Sequence, residues 1–184
     1  MENEVIKTIK NRRSVRKYKE EQIKEEELQT ILEAGIQAPT ANNSQPWYFT
    51  VVQDRELIDL INTESKKMMV QSDNKKLVKM GKNIPNIFYN APTVIIASGK
   101  KDIESALVDC SAAIENMLIA AESIDLGGVW IGLARFFFAD EENVEKLDLP
   151  NGYEPFYAVA IGYKEDNIPT GPSKRNMDVI NYIR

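Results

Sequence analysis

Residues 103 to 124 carry the longest regular pattern in the chain. Ile103, Ala106, Leu107, Cys110, Ile114, Met117, Leu118, Ala121 and Ile124 recur at helical spacing, for about six turns of α-helix. Alanines fill much of the remainder, at 112, 113 and 120, so neighbours can approach closely on several sides. A helix that is apolar around most of its circumference has to be buried. The pattern therefore predicts a central core helix with the other elements wrapped around it.

Shorter signals surround this helix. Val5 to Lys10 reads as a short helix with Val5, Ile6 and Ile9 inward. Glu25 to Ile36 is a second, with Leu28, Ile31, Leu32 and Gly35 at helical spacing. Ala38-Pro39 ends it, because a residue before proline avoids the α region. Trp47 to Val52 is β-branched and aromatic and predicts a strand. Helical patterns follow over Arg55 to Ile61 and Lys75 to Met80, and then a buried strand over Thr93 to Ser98. Leu126-Gly127-Gly128 predicts a turn into a strand over Val129 to Ile131, with Gly127 a candidate helix cap. A short helix over Glu141 to Leu147, a core strand over Phe156 to Tyr163 and an edge-strand pattern over Asp178 to Ile183 complete the chain. Helices and strands interleave without regular βα alternation, which points to α+β. With 184 residues, no repeat and no Pro/Gly-rich linker, residues 1–184 are expected to form one domain.

Composition narrows the chemistry. The chain has no histidine, which excludes Ser-His-Asp and Cys-His hydrolase sites and His-ligated metal centres. A single cysteine, Cys110, excludes an intrachain disulfide and an all-cysteine metal site. On the helix face it is expected to pack and not to react. No metal site is expected, and chemistry carried by an organic cofactor survives this cut. The net charge of -5 argues against a generic nucleic-acid partner. No run is long and apolar enough to cross a bilayer. The acidic Met-Glu-Asn-Glu start lacks a signal core, and the expected compartment is the cytoplasm.

Against this acidic background, Lys7, Lys10, Arg12, Arg13, Arg16, Lys17 and Lys19 lie within thirteen residues without an acid among them. Lysines near a helix C-terminus also complement its dipole, and Lys7, Lys10, Lys17 and Lys19 need no further role. The Arg12-Arg13-Ser14-Val15-Arg16 run differs, because guanidinium groups contact phosphate oxygens bidentately and serine adds a neutral donor. A second polar segment, Ala38-Pro39-Thr40-Ala41-Asn42-Asn43-Ser44-Gln45-Pro46-Trp47, precedes the first strand. It is a loop of turn-forming residues, yet Asn43 and Gln45 each offer the donor and acceptor groups that a uracil-like ring edge requires.

Together these two segments resemble the flavin-dependent nitroreductase family, with its Arg-Arg-Ser-x-Arg and Pro-Ser-x-x-Asn-x-Gln-Pro-Trp elements. Leu126-Gly127-Gly128-Val129-Trp130-Ile131-Gly132 resembles the family's Gly-Leu-Gly-Thr-Cys-Trp-Ile-Gly, with Asp125 at the first glycine. Gly162-Tyr163 and then Lys174-Arg175 resemble its Gly-Tyr-Pro and basic pair. The resemblance covers nearly the whole chain. It implies an antiparallel-rich sheet flanked by helices in an intertwined homodimer, with two FMN sites at the interface.

Carried over residue by residue, the resemblance makes Arg12, Arg13, Ser14 and Arg16 FMN contacts. Arg12 and Ser14 would hold the phosphate and Arg16 would approach the pyrimidine edge, where positive charge stabilises the reduced ring. Pro39, Thr40, Ala41, Asn43 and Gln45 would line the cofactor, the Pro39 to Asn43 part reaching the partner subunit's FMN. Thr40 keeps the hydroxyl of the usual serine. Leu126, Gly127 and Gly128 would bring backbone close to the flavin, and Lys174 or Arg175 would close on the phosphate. No side chain is expected to carry the chemistry itself, although Arg16, Gly127 and Gly128 would tune it. The implied reaction is ping-pong: NADH or NADPH reduces FMN, which then reduces a small acceptor such as a nitroaromatic or quinone. A dehalogenase or heterocycle dehydrogenase on the same fold, and a flavin-sequestering or redox-sensing module, are the other readings. Phe136-Phe137-Phe138 cannot all be buried on one face, so the run either straddles an interface or lines the pocket.

Overall fold

Buried apolar runs in three strands set the architecture. The computed structural model describes residues 2–168 and 171–184. Its sheet contains β1 (Trp47–Val52), β2 (Thr93–Lys100), β3 (Leu126–Ile131) and β4 (Tyr153–Tyr163), in the spatial order β1-β2-β4-β3. All three pairings are antiparallel, with Val94 opposite Ala160 and Gly128 opposite Ile161. Both faces are covered. On β2, Val94 and Ile96 enter one core while Ile95 and Ala97 enter the other; on β4, Ala158 and Ala160 oppose Val159 and Ile161 in the same way. A strand buried on both faces reads as a continuous apolar run and not as an alternation.

The helices are α1 (Glu4–Asn11), α2 (Glu25–Ile36), α3 (Arg55–Val70), α4 (Lys75–Asn83), α5 (Ala106–Ser123), α6 (Arg135–Phe138) and α7 (Glu141–Glu145). Helix α5 is the core helix that its periodicity predicts, with Cys110, Ala113, Ile114, Met117 and Ala121 fully buried. It packs with α2 on the second core, where Gly35 leaves room for Met117. Ile58 and Ile61 of α3 and Phe137 of α6 close the first core. Among the described residues, no helix is long and apolar enough to cross a membrane.

Four expectations need correction. Val5, Ile6 and Ile9 do not point inward: α1 buries nothing, and Val5 is 61% exposed. Helix α3 continues nine residues past Ile61, because Ile61, Ser65 and Met69 keep one face on the core at four-residue spacing. Leu126-Gly127-Gly128 is strand and not turn; Asp125, at φ 63°, makes the reversal after α5. Finally, Asp178 to Ile183 forms no strand within this chain, and Val179, Tyr182 and Ile183 are exposed.

Candidate functional site

The Arg12–Arg16 run lies extended against the free edge of β3. Ser14 bridges Gly128 in parallel, the Val15 N–H donates to the Gly128 carbonyl at 3.1 Å, and Tyr18 bridges Lys164 further on. Val15 and Tyr18 anchor the run because both are buried in the first core. The Tyr18 hydroxyl donates to backbone carbonyl oxygen, with those of Val15 and Ala160 at 2.7 and 3.2 Å. Burial pushes its pKa strongly upward, against a smaller opposing effect of Arg16. It is therefore a neutral strut.

Extended backbone alternates its side chains. With Val15 inward, Ser14 and Arg16 emerge together on the exposed side. Arg12 belongs to the same even-numbered set. It is mostly buried and stands 3.4 Å from the carboxylate of Glu115 on α5. Arg16 donates to the Ser14 carbonyl at 3.3 Å and lies over the Tyr89 ring, 5.7 Å from its centroid. Among the described residues no carboxylate comes within 4.0 Å of it. Arg13 goes elsewhere: its Nη1 donates to the Gly171 carbonyl at 3.1 Å. It lines a cavity of about 320 Å³ with Lys164 and Glu122, an ion pair 2.9 Å apart. Arg13 thus fastens the C-terminal segment, in which Lys174 and Arg175 are exposed.

The second polar segment forms a tight knot. Asn42, Asn43 and Gln45 have φ of 53°, 54° and 43°, a conformation that asparagine tolerates better than most residues. The Gln45 N–H donates to the Thr40 hydroxyl at 3.2 Å, and its side-chain amide donates to Asn43 Oδ1 at 3.1 Å. Pro39, Ala41, Asn43 and Gln45 are exposed, and Thr40 is half-buried. Among the described residues, no hydrogen bond or ion pair joins this knot to Arg12–Arg16. Within one chain, the two motifs share no polar contact among the described residues.

The glycine segment has a packing role of its own. Leu126 is a core residue with its side chain among those packed on α5. A Cβ on Gly127 would stand 2.7 Å from Val15 Cγ1, and one on Gly128 would stand 2.7 Å from Leu118 Cδ2. These glycines admit protein neighbours: Gly127 seats the Arg12–Arg16 run, and Gly128 seats α5. Open space lies instead over Gly132, one residue beyond β3, where an added Cβ would meet nothing within 4 Å. Phe137 is core, while Phe136 and Phe138 are half-buried; Arg135 lies over Phe136, and Phe138 lines a separate cleft. Cys110 is fully buried, and burial with the nearby Asp109 charge pushes its thiol up to about 12.

Residues 9–163 match the model of the nitroreductase family. The chain belongs to that family. A nitroreductase from Bacteroides fragilis, solved with bound FMN, is 33% identical over the full length of both chains, with a TM-score of 0.91. An FMN reductase using NAD(P)H from Bacillus subtilis is 29% identical over 92% of this chain and 70% of its own. An iodotyrosine deiodinase bound to FMN and 3-iodo-L-tyrosine shares the fold at 23% identity, with a TM-score of 0.75 over 98% of this chain and 99% of that one. Two features of this nitroreductase-family chain had no counterpart in the motif reading. Glu115, the partner of Arg12, sits on a helix chosen by its apolar face, so its spacing carried no signal. Tyr89 and Asn90 both adopt positive φ, at 56° and 59°, and a left-handed tyrosine leaves no mark in a sequence.

Proposed function

We propose that this chain is an FMN-dependent oxidoreductase that passes hydride from NADH or NADPH to a small acceptor such as a nitroaromatic or quinone. The observation that carries the reading is the even-numbered face of the Arg12–Arg16 run. Ser14 and Arg16 are exposed where the run meets the edge of β3, Arg12 stands mostly buried beside Glu115, and Arg16 has no carboxylate within 4.0 Å among the described residues. This donor set fits FMN. A phosphomonoester is a dianion that Arg12 and Ser14 can hold, and it would compete with the exposed Glu115 carboxylate for Arg12. The charge on Arg16 suits an electron-rich ring edge. Arg13 contributes indirectly, by holding the segment that leads to Lys174 and Arg175. Bound FMN supplies reversible hydride acceptance, so the chain needs to supply only binding, orientation and electrostatics.

The Pro39–Gln45 knot is exposed and shares no hydrogen bond or ion pair with Arg12–Arg16 among the described residues, which suits a site completed by a second copy. In that arrangement Thr40, Asn43 and Gln45 reach the partner subunit's FMN, and the uncovered apolar faces of α1 and the tail lie in the interface. A single FMN-binding domain over residues 1–184 and a ping-pong order of substrates belong to the same reading.

The test is anaerobic. Purified protein should be yellow and release FMN, not FAD, on denaturation, because no Gly-x-Gly-x-x-Gly pyrophosphate loop is present. NADH or NADPH should bleach the visible flavin band within seconds, and a quinone should restore it. Bound flavin that neither nucleotide reduces would sink the enzyme reading and favour a sequestering or sensing role.

A further inference from the structure

Tyr89 occupies a backbone conformation that bulky residues avoid, and Asn90 beside it does the same. The surroundings hold this turn in place. Asn62 Oδ1 accepts from the Ile87 N–H at 3.0 Å, and Asn86 Oδ1 accepts from the Phe88 N–H at 2.7 Å. The Tyr89 N–H donates to the Asn86 carbonyl, and the Ala91 N–H to that of Phe88. Ile87, Phe88 and Ala91 are buried in the first core, and Lys66 Nζ ties α3 to the Pro85 carbonyl at 3.1 Å. Strain retained at this level of bracing marks a position where the side chain's direction matters.

The strained turn delivers a ring face beneath Arg16. One side of Tyr89 packs on the core, and the Arg16 guanidinium lies over the ring at 5.7 Å. The two residues share the lining of a cavity of about 400 Å³ with Lys17, Asn86 and Glu165. Glu165 is not within ion-pair distance of Arg16. The type of partner is informative. A carboxylate would fix the guanidinium but cancel its field, whereas an aromatic face fixes it by cation–π attraction and leaves the positive charge in force.

We infer that Tyr89 is a positioning residue, which holds Arg16 without neutralising it so that its charge favours the electron-rich state of the ligand bound along Arg12–Arg16. The inference rests on the FMN reading above. Its test is the two-electron midpoint potential of the bound flavin, measured anaerobically in the FMN-loaded protein. Tyr89→Phe keeps the ring and should leave the potential unchanged. Tyr89→Leu keeps apolar bulk but removes the π face, and should lower the potential by about 30 mV for each tenfold loss of preference for reduced over oxidised FMN. Arg16→Gln should lower it further, and adding Tyr89→Leu to Arg16→Gln should change nothing more, as coupled residues require. Tyr89→Met serves the same purpose if the leucine variant does not fold. Equal potentials in the phenylalanine, leucine and wild-type proteins would overturn the assignment, as would additive shifts in the double variant. A protein that takes up no FMN would refute the functional reading beneath it, and this inference with it.

Discussion

Gly127→Ala puts a methyl group where Val15 already stands. The added Cβ would meet Val15 Cγ1 at 2.7 Å, Cβ at 2.9 Å and Cγ2 at 3.1 Å. Rotation about χ1 can move the two methyls but not Cβ, so the backbone of the run has to yield. Bringing that contact from 2.9 Å to the ordinary lower limit of 3.4 Å requires a shift of about half an ångström. Ser14 and Arg16 flank Val15 and must move with it. Overpacking of this kind costs about 1–3 kcal/mol of stability. Loosening one charge-assisted contact to phosphate costs a further 1.5–3 kcal/mol of binding, roughly ten- to a hundredfold in Kd for FMN. Gly128→Ala is the control, because its added Cβ meets Leu118 Cδ2 and Ile161 Cδ1, the far ends of side chains that can rotate. It should lower stability while leaving FMN affinity near wild type. Quenching of flavin fluorescence on titration of apoprotein measures the affinity, and urea unfolding measures the stability. Two alanine variants with equal loss of stability and unchanged, wild-type FMN affinity would refute the idea that Gly127 seats the clamp.

Arg12→Ala should weaken FMN binding by about ten- to a hundredfold, while its ion pair with half-exposed Glu115 adds at most about 1 kcal/mol to stability. Lys19→Ala should do almost nothing, and equal losses in the two titrations would show diffuse charge in place of a site. Deleting Val179 to Arg184 should weaken dimerisation and FMN retention together, and a yellow, NAD(P)H-reducible monomer in sedimentation would refute a shared site. Cys110, with its folded pKa pushed up to about 12 from an unfolded value of about 8.5, stabilises the fold below pH 8.5. That contribution is lost as pH rises from 8.5 towards 12, because only the unfolded chain ionises there. Cys110→Ala should flatten this alkaline limb of stability, and in the native protein the thiol should resist an aromatic disulfide reagent at pH 8 until denaturant is added.

The elements legible in the sequence were those whose pattern the protomer itself satisfies. Helix α2 and strand β1 begin and end where their periodicity and the Ala38-Pro39 stop place them, and Met117 and Ile114 of α5 are as buried as their spacing demands. Elsewhere inward and outward are exchanged: Val5 and Ile9 form a regular apolar face that stays exposed in this protomer. The end of α3 was missed because Asn62, Thr63 and Glu64 interrupt the apolar signal, although Ser65 follows on the buried face. Gly127-Gly128 reads as a turn by composition, and only tertiary crowding by Val15 and Leu118 explains two glycines inside a strand. The donor chemistry of Arg12, Ser14 and Arg16 can be read from the sequence. The diversion of Arg13 cannot, because alternation across an edge is a property of the strand it docks on.

One of the two inner strands of the sheet is also the last of the four in sequence. In the order β1-β2-β4-β3, strand β4 pairs with both β2 and β3, and it lies at residues 153–163. A nascent chain interrupted before Tyr153 leaves one edge of β2 open and β3 without its strand partner, and both are buried, apolar strands in the finished sheet. Such edges template association between chains. The arginine run near the start has its docking edge only once β3 is held by β4, more than 130 residues later. Docking of the Arg12–Arg16 run is therefore tied to synthesis of β4, and chains interrupted before it carry their cohesive strand edges exposed.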